Sequence, residues 1–567
     1  MVTTWLTGMT TAQAALPGAD PSMTRAPYLT DLTGTSVHVS WATSNQVRAV
    51  VKYGPPGSCT AQSVTSTKLG SPITINGVKE YQNSVAVTGL SAGTAYCYRI
   101  TNTGANPVDL LGTNPSPQFT TLAGGGSVTF DVLGDWGDNS FIPGGGLNTD
   151  QAGVDAQIAN SGAQYVITTG DVAYPGGTQT EYGDLNQTGL NISSVFGPSY
   201  WGEPGETVPL YMVSGNHGRN SNFITNWPEQ QSAALSGGVY SMVSYPSIDG
   251  TNPASYPTSY YAFSAGGVRF YMLDATWSNS NIGSATGGAC GSHCAMYQID
   301  HDAHWTASSA EYRWLAGDLA AHPGGVKLVF FHFPLHSDNS SEPSDTYLDN
   351  TPGSSGSLEQ LLDDSGVQLV FNGHAHIYQR NIAPPGGVTS YVTGGGGAKA
   401  EPVSHCSTTD AYAIGWSYSS SSGSKCGAAA RPMSEGQVHH FLKVTVNGTT
   451  VTVTPINSLG QIFDQVTYNF AADSTPPAAP RTVAVSVPSA SKRVLTWAAA
   501  TDNVGVSAYD IYRNGRYLGT VGPAKRSYTD ATATKGAGYT YRVVARDLAG
   551  HTSGVSMQAR PLRHIGL

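Results

Sequence analysis

The sequence predicts a multidomain protein in which a central α/β domain, layered as an αββα sandwich, lies between two all-β sandwiches. The 567 residues are too many for one hydrophobic core. The middle of the chain contains nearly all-apolar strands, which are typical of sheets buried on both faces, at 129–133, 165–168, 210–213, 328–331 and 368–371. Both ends show short segments that alternate apolar and polar residues, as half-buried sandwich strands do.

These patterns give the domain boundaries. Residues 25–122 form the first sandwich, in which 37–41 and 95–100 alternate most clearly. The glycine-rich stretch 123–126 is expected to act as a hinge before the central domain at 127–470. A proline-rich linker at 471–481 precedes the second sandwich at 482–567.

Two local signals are specific enough to test. In the central domain, Ser308 or Ser309 is expected to cap a helix that carries Trp314, Leu315 and Leu319 on one face. In the C-terminal sandwich, the dipeptide at 514–515, Asn-Gly, predicts a tight hairpin turn.

Composition limits the classes of partner. Charged residues make up 11% of the chain and the net charge is −10, which argues against nucleic acid as the main partner. No run approaches about 18 consecutive apolar residues, so no membrane-spanning helix is predicted. The segment 1–24 contains Ala-Gln-Ala-Ala before a Pro- and Gly-containing run, which is typical of the tail of a signal peptide.

The six cysteines fall into three local pairs, which favours disulfides and a secreted, extracellular or periplasmic location. The pairs are Cys59 with Cys97, Cys290 with Cys294, and Cys406 with Cys426. The alternative for Cys290-Gly-Ser-His293-Cys294 is a small metal site, which is disfavoured because no second Cys/His pair lies nearby.

Five short segments each end an apolar run with residues that can bind metals. Taken singly, each has an ordinary explanation, such as a turn aspartate or a packed aromatic ring. As a set they offer carboxylate, phenol, amide and imidazole donors at strand ends, which suits iron, manganese or zinc, and one carboxylate can bridge two ions. The donors are Asp135, Asp171, Tyr174, Asn216, His217, His332, His374 and His376.

The order of these segments, GDxG, GDxxY, GNH, VxxH and GHxH, resembles the metallophosphoesterase (calcineurin-like phosphoesterase) superfamily. Tyr174 and the Asp135-Trp-Gly sequence resemble its purple acid phosphatase branch in particular. Both flanking sandwiches resemble fibronectin type III domains. An N-terminal domain of this kind also precedes the catalytic domain in that branch.

The resemblance implies two metal sites of different character. The first would bind Fe(III), with the coloured tyrosinate complex of the branch, through Asp135, Asp171, Tyr174 and His376. The second would bind a divalent ion (Fe, Zn or Mn) through Asp171, Asn216, His332 and His374, so that Asp171 bridges. Two further histidines are expected to act on substrate: His217, which would hydrogen-bond the phosphate or protonate the leaving group, and His336, which would face the substrate.

The sequence departs from the family pattern at two places. Gly218 stands where the family usually has an acidic residue that orients the neighbouring histidine. The stretch 340–343, Ser-Ser-Glu-Pro, stands where plant and mammalian members carry a further histidine. Five other histidines match no motif and are expected to be structural: His301, His304, His322, His439 and His440.

The predicted function is that of an acid phosphatase. Its substrates would be small-molecule phosphate monoesters, which a metal-bound hydroxide would hydrolyse at acidic pH. Alternatives are a phosphodiesterase, phospholipase-like or nucleotidase member of the superfamily. A surface adhesion protein is disfavoured because none of the ligand motifs is missing. The C-terminal sandwich is expected to bind a polysaccharide or to act as a spacer.

Overall fold

The structure is a computed structural model. It describes residues 18–103, 107–142, 146–187, 195–198, 205, 207–217, 221–227, 236–245, 254–275, 305, 307, 309–339, 358–534, 537–556 and 559.

The N-terminal domain is a sandwich of two antiparallel sheets. Its strands are β1 (Met23–Thr30), β2 (Ser36–Thr43), β3 (Arg48–Gly54), β4 (Gln62–Leu69), β5 (Ser71–Ile75), β6 (Val78–Thr88), β7 (Ala95–Asn102) and β8 (Gln118–Thr120). One sheet has the order β1-β2-β6-β5 and the other β4-β3-β7-β8. Trp41 and Tyr98 are fully buried between the sheets, and a disulfide joins Cys59 to Cys97 as predicted.

The central domain begins with three parallel strands and the helices that follow them. These elements are β9 (Val128–Leu133), α1 (Thr149–Ala159), β10 (Val166–Thr168), α2 (Gln179–Tyr182), β11 (Leu210–Tyr211) and α3 (Ser221–Asn226). Strand β11 also pairs with β1, through Leu210 and Thr30. The sheet of the central domain therefore continues into the N-terminal sandwich, although the sequence predicted a hinge at 123–126.

A second large sheet follows. Its strands and helices are β12 (Ser236–Tyr245), β13 (Ala254–Ala265), β14 (Val268–Met272), α4 (Ala310–Ala321), β15 (Val326–Phe330), α5 (Leu358–Asp364), β16 (Leu369–Asn372), β17 (Tyr378–Asn381), β18 (Thr389–Thr393), β19 (Asp410–Ser417) and β20 (Ser422–Gly427). Strands β14, β15, β16 and β18 are parallel. A 3₁₀ turn (Glu435–Gln437) then leads back to the first sheet through β21 (His440–Asn447), β22 (Thr450–Asn457) and β23 (Val466–Asn469).

The two sheets pack face to face on an aromatic core, and helices cover their outer faces. Phe130 of the first sheet lies 6.2 Å, between ring centroids, from Phe330 of the second. Val154 of α1 is buried against the first sheet, and Leu315 of α4 against the second. This four-layer order confirms the predicted αββα domain. Ser309 caps α4, as predicted, by accepting a hydrogen bond from the Tyr312 amide at 3.3 Å.

The C-terminal domain is a second small sandwich. Its strands are β24 (Ala484–Ser489), β25 (Lys492–Thr496), β26 (Val506–Arg513), β27 (Arg516–Val521), β28 (Ser527–Asp530) and β29 (Tyr541–Asp547), in the sheets β24-β25-β28 and β27-β26-β29. Asn514 and Gly515 have φ values of 52° and 82°, as the predicted hairpin turn requires. Arg546 donates a hydrogen bond to the Ala383 carbonyl of the central domain, so the two domains are in contact.

A second predicted disulfide, Cys406 to Cys426, is present. The predicted pair of Cys290 and Cys294 lies outside the described residues. Within the described part of the chain, no helix has the length and apolar character needed to cross a membrane.

Candidate metal centre

The predicted metal donors lie at the carboxyl ends of parallel strands from both sheets. Asp135 follows β9, Asp171 follows β10, and Asn216 lies beyond β11. From the second sheet, His332 follows β15 and His374 follows β16. Because parallel strands end at one edge of a sheet, the topology brings residues that are distant in sequence to one place.

Three of these donors have an unusual backbone conformation. Asp135, Asp171 and His374 have φ values of 58°, 52° and 68°, in the left-handed region that residues with a Cβ rarely adopt. Each such residue costs on the order of 1–3 kcal/mol, and such strain clusters at functional sites.

Glycines make room for the aspartates. A Cβ on Gly215 would lie 2.7 Å from Asp171 Cγ, and a Cβ on Gly373 would lie 2.6 Å from Asp135 Oδ2. The glycines of the GNH and GHxH segments are therefore needed because the carboxylates occupy the space that any side chain would take.

The first group of donors surrounds the Tyr174 hydroxyl. That oxygen lies 3.0 Å from Asp135 Oδ1, 3.1 Å from Asp171 Oδ2 and 3.2 Å from His376 Nε2. Asp135 and Asp171 are almost completely buried, and Tyr174 is 7% exposed. Two carboxylates, a phenol and an imidazole thus converge on one small volume.

The second group of donors also contains Asp171. Ligand atoms of Asp171, His332 and His374 all lie within 4.8 Å of one another. His332 Nε2 is 3.2 Å from Asp171 Oδ2 and 2.7 Å from Asn216 Oδ1. Asp171 is therefore the one carboxylate that both groups share.

The histidine hydrogen bonds test whether these donors fit a cation. His332 Nδ1 lies 2.8 Å from the Thr169 carbonyl, and His376 Nδ1 lies 2.8 Å from the Lys399 carbonyl. Because a carbonyl only accepts, Nδ1 carries the proton in both rings, and a neutral ring then presents an Nε2 lone pair to the cluster. Those lone pairs face carboxylate oxygens, so the arrangement requires either a second ring proton or a metal ion. The residues fit a metal.

The pKa values show the same demand for positive charge. Burial would lower the pKa of His376, but Asp135 overcomes it and raises the pKa to about 10. Burial would also lower the pKa of His332, but the nearby Asp171 carboxylate outweighs burial and the pKa is raised. For Tyr174, burial and the two neighbouring carboxylates all raise the pKa far above its usual value. When no metal is bound, the carboxylates of Asp135 and Asp171 therefore favour the protonated forms of His332, His376 and Tyr174.

The charge on Asp171 is stabilised in spite of its burial. Burial alone would raise its pKa, but nearby His332 and His217 lower it below the ordinary value. Asp171 Oδ1 also accepts a hydrogen bond of 2.7 Å from the His217 amide. This carboxylate is therefore ionised throughout the ordinary pH range, as a bridging ligand must be.

His217 lies at the edge of the cluster and is oriented by a carbonyl. Its Nδ1 is 2.6 Å from the Pro175 carbonyl oxygen, and its ring centroid is 4.4 Å from that of Tyr174. The acidic residue that usually orients this histidine in the family is replaced by Gly218 in this sequence. Gly218 lies outside the described residues, but the Pro175 carbonyl supplies a partner.

His336 has a different environment from the metal donors. Its Nε2 lies 3.0 Å from Glu359 Oε1, and its side chain is 22% exposed. Its carbonyl accepts a hydrogen bond from Asn381. The stretch 340–343, which bears on substrate contacts, lies outside the described residues, as do His301 and His304.

The remaining histidines have structural contacts. His322 ends α4, and its Nδ1 is 2.8 Å from the Asp318 carbonyl. His439 Nε2 is 3.1 Å from Glu435. Burial lowers the pKa of His440 to about 4, so this ring is neutral at ordinary pH.

Sequence reasoning missed the residues that orient the donors. These are the carbonyls of Thr169, Pro175 and Lys399, together with Phe333, whose ring stacks 4.0 Å from that of His374. Backbone carbonyls carry no residue-type signal. Thr169, Pro175 and Phe333 each stand directly beside a motif residue, but only Phe333 contributes its side chain.

Comparisons with known proteins agree with this geometry. Residues 26–121 match the purple acid phosphatase N-terminal domain, and residues 128–378 match the calcineurin-like phosphoesterase family. The fold resembles that of a purple acid phosphatase from yellow lupin (Lupinus luteus) seeds, with a TM-score of 0.50 at 17% identity, covering 78% of this chain and 74% of that one.

Relatives match different parts of the chain. Purple acid phosphatase 15 of Arabidopsis thaliana is 23% identical over 345 residues, which are 57% of this chain and 54% of the relative. Shorter matches are to an alpha-amylase of Niallia circulans (34% over 133 residues, 24% of this chain and 9% of the amylase) and chitinase C of Streptomyces lividans (42% over 80 residues, 14% and 13%). The chain thus spans about half the length of the plant relative and far less of the other two.

Residues 128–378 are therefore a calcineurin-like phosphoesterase domain. With the purple acid phosphatase N-terminal domain ahead of it at residues 26–121, the chain resembles the purple acid phosphatase branch of the metallophosphoesterase superfamily.

Proposed function

We propose that this protein hydrolyses phosphate monoesters at a centre of two metal ions. The observation that carries the proposal is the position of Asp171, which belongs to both donor groups: it lies 3.1 Å from the Tyr174 hydroxyl on one side and 3.2 Å from His332 Nε2 on the other. A shared carboxylate is the feature that distinguishes a pair of neighbouring ions from two separate sites.

The two groups differ in chemistry and so favour different ions. Asp135, Asp171, Tyr174 and His376 would hold Fe(III), because hard anionic oxygens predominate there. Asp171, Asn216, His332 and His374 would hold a divalent ion, Fe, Zn or Mn, because two imidazoles and a neutral amide reduce the anionic charge. Such a metal pair supplies positive charge to the phosphoryl oxygens and makes water more acidic.

His217 is the proposed catalytic residue of the chain itself. Its Nδ1 is held by the Pro175 carbonyl, which fixes the tautomer and leaves Nε2 for a phosphoryl or leaving-group oxygen. His336 stays a prediction as a substrate-facing residue. Its ring contacts Glu359, so it would act from a fixed position.

Substrate choice separates the proposal from its alternatives. We expect higher kcat/KM with p-nitrophenyl phosphate than with bis(p-nitrophenyl) phosphate. The reverse order would favour a phosphodiesterase or phospholipase-like enzyme, and preference for nucleoside monophosphates would favour a nucleotidase. Absence of activity towards all of these esters in metal-loaded protein would contradict the proposal.

Asp171→Asn tests the shared carboxylate. It should remove both metals and reduce kcat by at least about 10²-fold, since both donor groups lose a charged ligand. Asp510→Asn is the matched control: Asp510 is equally buried but lies in the C-terminal domain, where it accepts a hydrogen bond from Thr520 at 2.6 Å. Normal metal content and turnover in the Asp171 variant would refute its bridging role.

For the C-terminal domain we propose attachment to a polysaccharide, with a spacer role as the alternative. The matches to an alpha-amylase and a chitinase support it, since both names denote enzymes that act on polysaccharides. Sedimentation of the full chain with insoluble chitin tests the proposal. Binding supports attachment, and a chain that stays in the supernatant favours the spacer. We also propose secretion, which the disulfides Cys59–Cys97 and Cys406–Cys426 support.

A further inference from the structure

The Arg25 side chain is completely buried at the boundary between the N-terminal and central domains. Its guanidinium donates to five acceptors, one for each of its N–H groups. Nε donates to the Gly183 carbonyl at 2.7 Å, and Nη1 to Asn226 Oδ1 at 2.8 Å and Gln82 Oε1 at 3.1 Å. Nη2 donates to Gln179 Oε1 at 3.0 Å and to the Gln179 carbonyl at 3.3 Å.

This cation keeps its charge although it is buried. Burial lowers the pKa of Arg25 to about 10, which is still above any working pH, and nearby Glu80 and Asp184 oppose the lowering. The guanidinium carbon also lies 4.6 Å from the ring centroid of Phe196. A charged group with five neutral acceptors holds them in a fixed geometry, because moving any of them leaves a buried donor unpaired.

Four of the five acceptors of Arg25 lie on the two segments that follow candidate metal-site residues, and the fifth, Gln82, lies on β6 of the N-terminal domain. Gln179 is the first residue of α2 and Gly183 directly follows this helix, which comes shortly after Tyr174 in the chain. Asn226 is the last residue of α3, which follows Asn216 and His217. Arg25 itself is on β1 of the N-terminal domain. Its side chain therefore joins the N-terminal domain to both segments at once.

The two segments are also joined to each other close to the metal centre. Asn222 Nδ2 donates to the Gly177 carbonyl at 3.0 Å, and Gln179 Nε2 donates to Asn222 Oδ1 at 3.3 Å. His217 Nδ1 lies 2.6 Å from the Pro175 carbonyl. A continuous set of hydrogen bonds thus runs from Arg25 through Gln179 and Asn222 to the loop whose carbonyl orients His217.

We propose that Arg25 is a positioning residue, through which the N-terminal domain fixes the loop after Tyr174 and so the orientation of His217. The inference rests on the proposed role of His217 in turnover. It makes the N-terminal sandwich a working part of the catalytic centre. Displacement of a catalytic group by about 1 Å can cost on the order of 10²-fold in rate.

Arg25→Met tests this inference, with Arg99→Met as the matched control. Arg99 is an N-terminal arginine whose described partners, among them Asp109, Gly112 and Asn114, all lie within its own domain. We expect Arg25→Met to lower kcat on p-nitrophenyl phosphate by about 10²-fold at unchanged metal content. Arg99→Met should stay within about twofold of wild type, since loss of a contact away from the site leaves turnover intact.

A double-mutant cycle shows whether Arg25 acts through His217. In a His217→Ala background, Arg25→Met should cost only about threefold, because the group that it positions is already gone. Multiplicative effects of the two substitutions would overturn the proposal, since a general loss of structure would act on both backgrounds alike. If Arg25→Met does not fold, Arg25→Lys replaces it, since lysine keeps the charge but not the five-donor fork.

Hydrogen exchange separates failure of this inference from failure of the proposed function. Arg25→Met or Arg25→Lys should speed amide exchange in 174–183 and 221–226, whereas Arg99→Met should not. Unchanged exchange there overturns the positioning role even if the wild type is an active phosphatase. An inactive wild type with faster exchange in the variant would refute the proposed function and leave the mechanical link in place.

Discussion

His332 and His376 each direct one ring nitrogen at a backbone carbonyl and the other at buried carboxylates. That arrangement selects the Nδ1–H tautomer and leaves Nε2 as the donor atom. Metal-binding histidines usually donate their second ring N–H to a carbonyl or carboxylate that orients the ring. The carbonyls of Thr169 and Lys399 are such acceptors for His332 and His376. In the metal-free chain, protonated His332 and His376 balance the negative charge of the buried Asp135 and Asp171 carboxylates. Metal ions would supply this positive charge when they are bound.

The glycine beside Asp171 gives a prediction at the residue scale. Gly215→Ala should displace the Asp171 carboxylate, because the added Cβ would lie 2.7 Å from Cγ. We expect metal affinity to fall at least about tenfold, and overpacking of this kind to cost about 1–3 kcal/mol of stability. Isothermal titration with Zn²⁺ and thermal unfolding measure the two effects.

Gly124→Ala is the control for this substitution, because nothing lies within 4 Å of a Cβ there. It should change stability by no more than about 0.5 kcal/mol and leave metal binding as in the wild type. If Gly215→Ala bound metal as tightly as Gly124→Ala, the close approach of Asp171 to Gly215 would not matter for the site.

The residues that the fold brings together as candidate metal donors could be predicted from the sequence, but the groups that orient them could not. Asp171, Tyr174 and His374 are visible because they follow apolar strands at fixed short spacings. The Pro175 carbonyl and Glu359 are not visible, because one is backbone and the other is brought to His336 only by the fold. Arg25 resembles any other arginine in a strand, since its partners are more than 50 residues away in sequence.

At the scale of the elements, the candidate metal donors lie at strand ends, and hydrogen bonds between the loops that follow the strands hold these loops together. Helix α1 is the next element in the chain after β9. Its N-cap, Asn148, accepts hydrogen bonds from the amides of Asp150 and Gln151 at 3.2 and 3.1 Å. Asn148 Nδ2 also donates to the Asp138 carbonyl at 3.1 Å and to the Gly397 carbonyl at 2.6 Å. One side chain thus caps a helix and joins the loops after β9 and β18.

Two substitutions of Asn148 separate these roles. Asn148→Ala removes both and should destabilise the protein by about 2–3 kcal/mol, of which the cap accounts for about 1. Asn148→Ser keeps an oxygen that can cap the helix and should recover about 1 kcal/mol. Urea unfolding measures both. Equal stability of the Ser and Ala variants would show that the cap contributes nothing.

The five buried strands that precede the candidate metal donors were predictable because they are apolar throughout, whereas most of the other strands of the central domain were not predicted. The predicted strand at 328–331 corresponds to β15, and Ser309 caps α4. The sheet order was not predictable. Strand β1 joins β11 through Thr30 and Leu210, a pairing that the glycines at 123–126 gave no reason to expect.

At the scale of the whole molecule, buried acids set the dependence of stability on pH. Burial raises the pKa of Asp131 to about 8, although Ser161 and Lys443 oppose it. Burial also raises the pKa values of Glu80 and Asp338 to about 8, with Asp184 and Asp410, respectively, adding to the rise. These three carboxyls lie in different parts of the structure.

The metal-free chain should be more stable at pH 5 than at pH 8. An unfolded carboxyl loses its proton near about pH 4, whereas these three keep theirs up to about 8 in the folded state. The folded state therefore binds more protons between those values, and the free energy of unfolding falls as pH rises. The raised pKa of His376 acts in the same direction above about 6.5.

Thermal unfolding in the presence of a chelator, from pH 5 to pH 8, checks this prediction. Asp131→Asn should flatten the decline and raise the melting temperature at pH 8, because the amide stands in for a carboxyl that stays protonated when folded. A melting temperature that rises with pH would show that these acids are ionised in the folded chain.

Tyr174 is the proposed iron ligand in a centre of two metals. Metal content and visible absorption of the purified protein, measured beside its Tyr174→Phe variant, test this role. We predict about two metal ions per chain with iron among them, and a visible band in the wild type. The variant should lose the band while it still holds metal through Asp135, Asp171 and His376. An iron-loaded wild type without a visible band, or a variant that keeps the band, would show that Tyr174 does not bind iron.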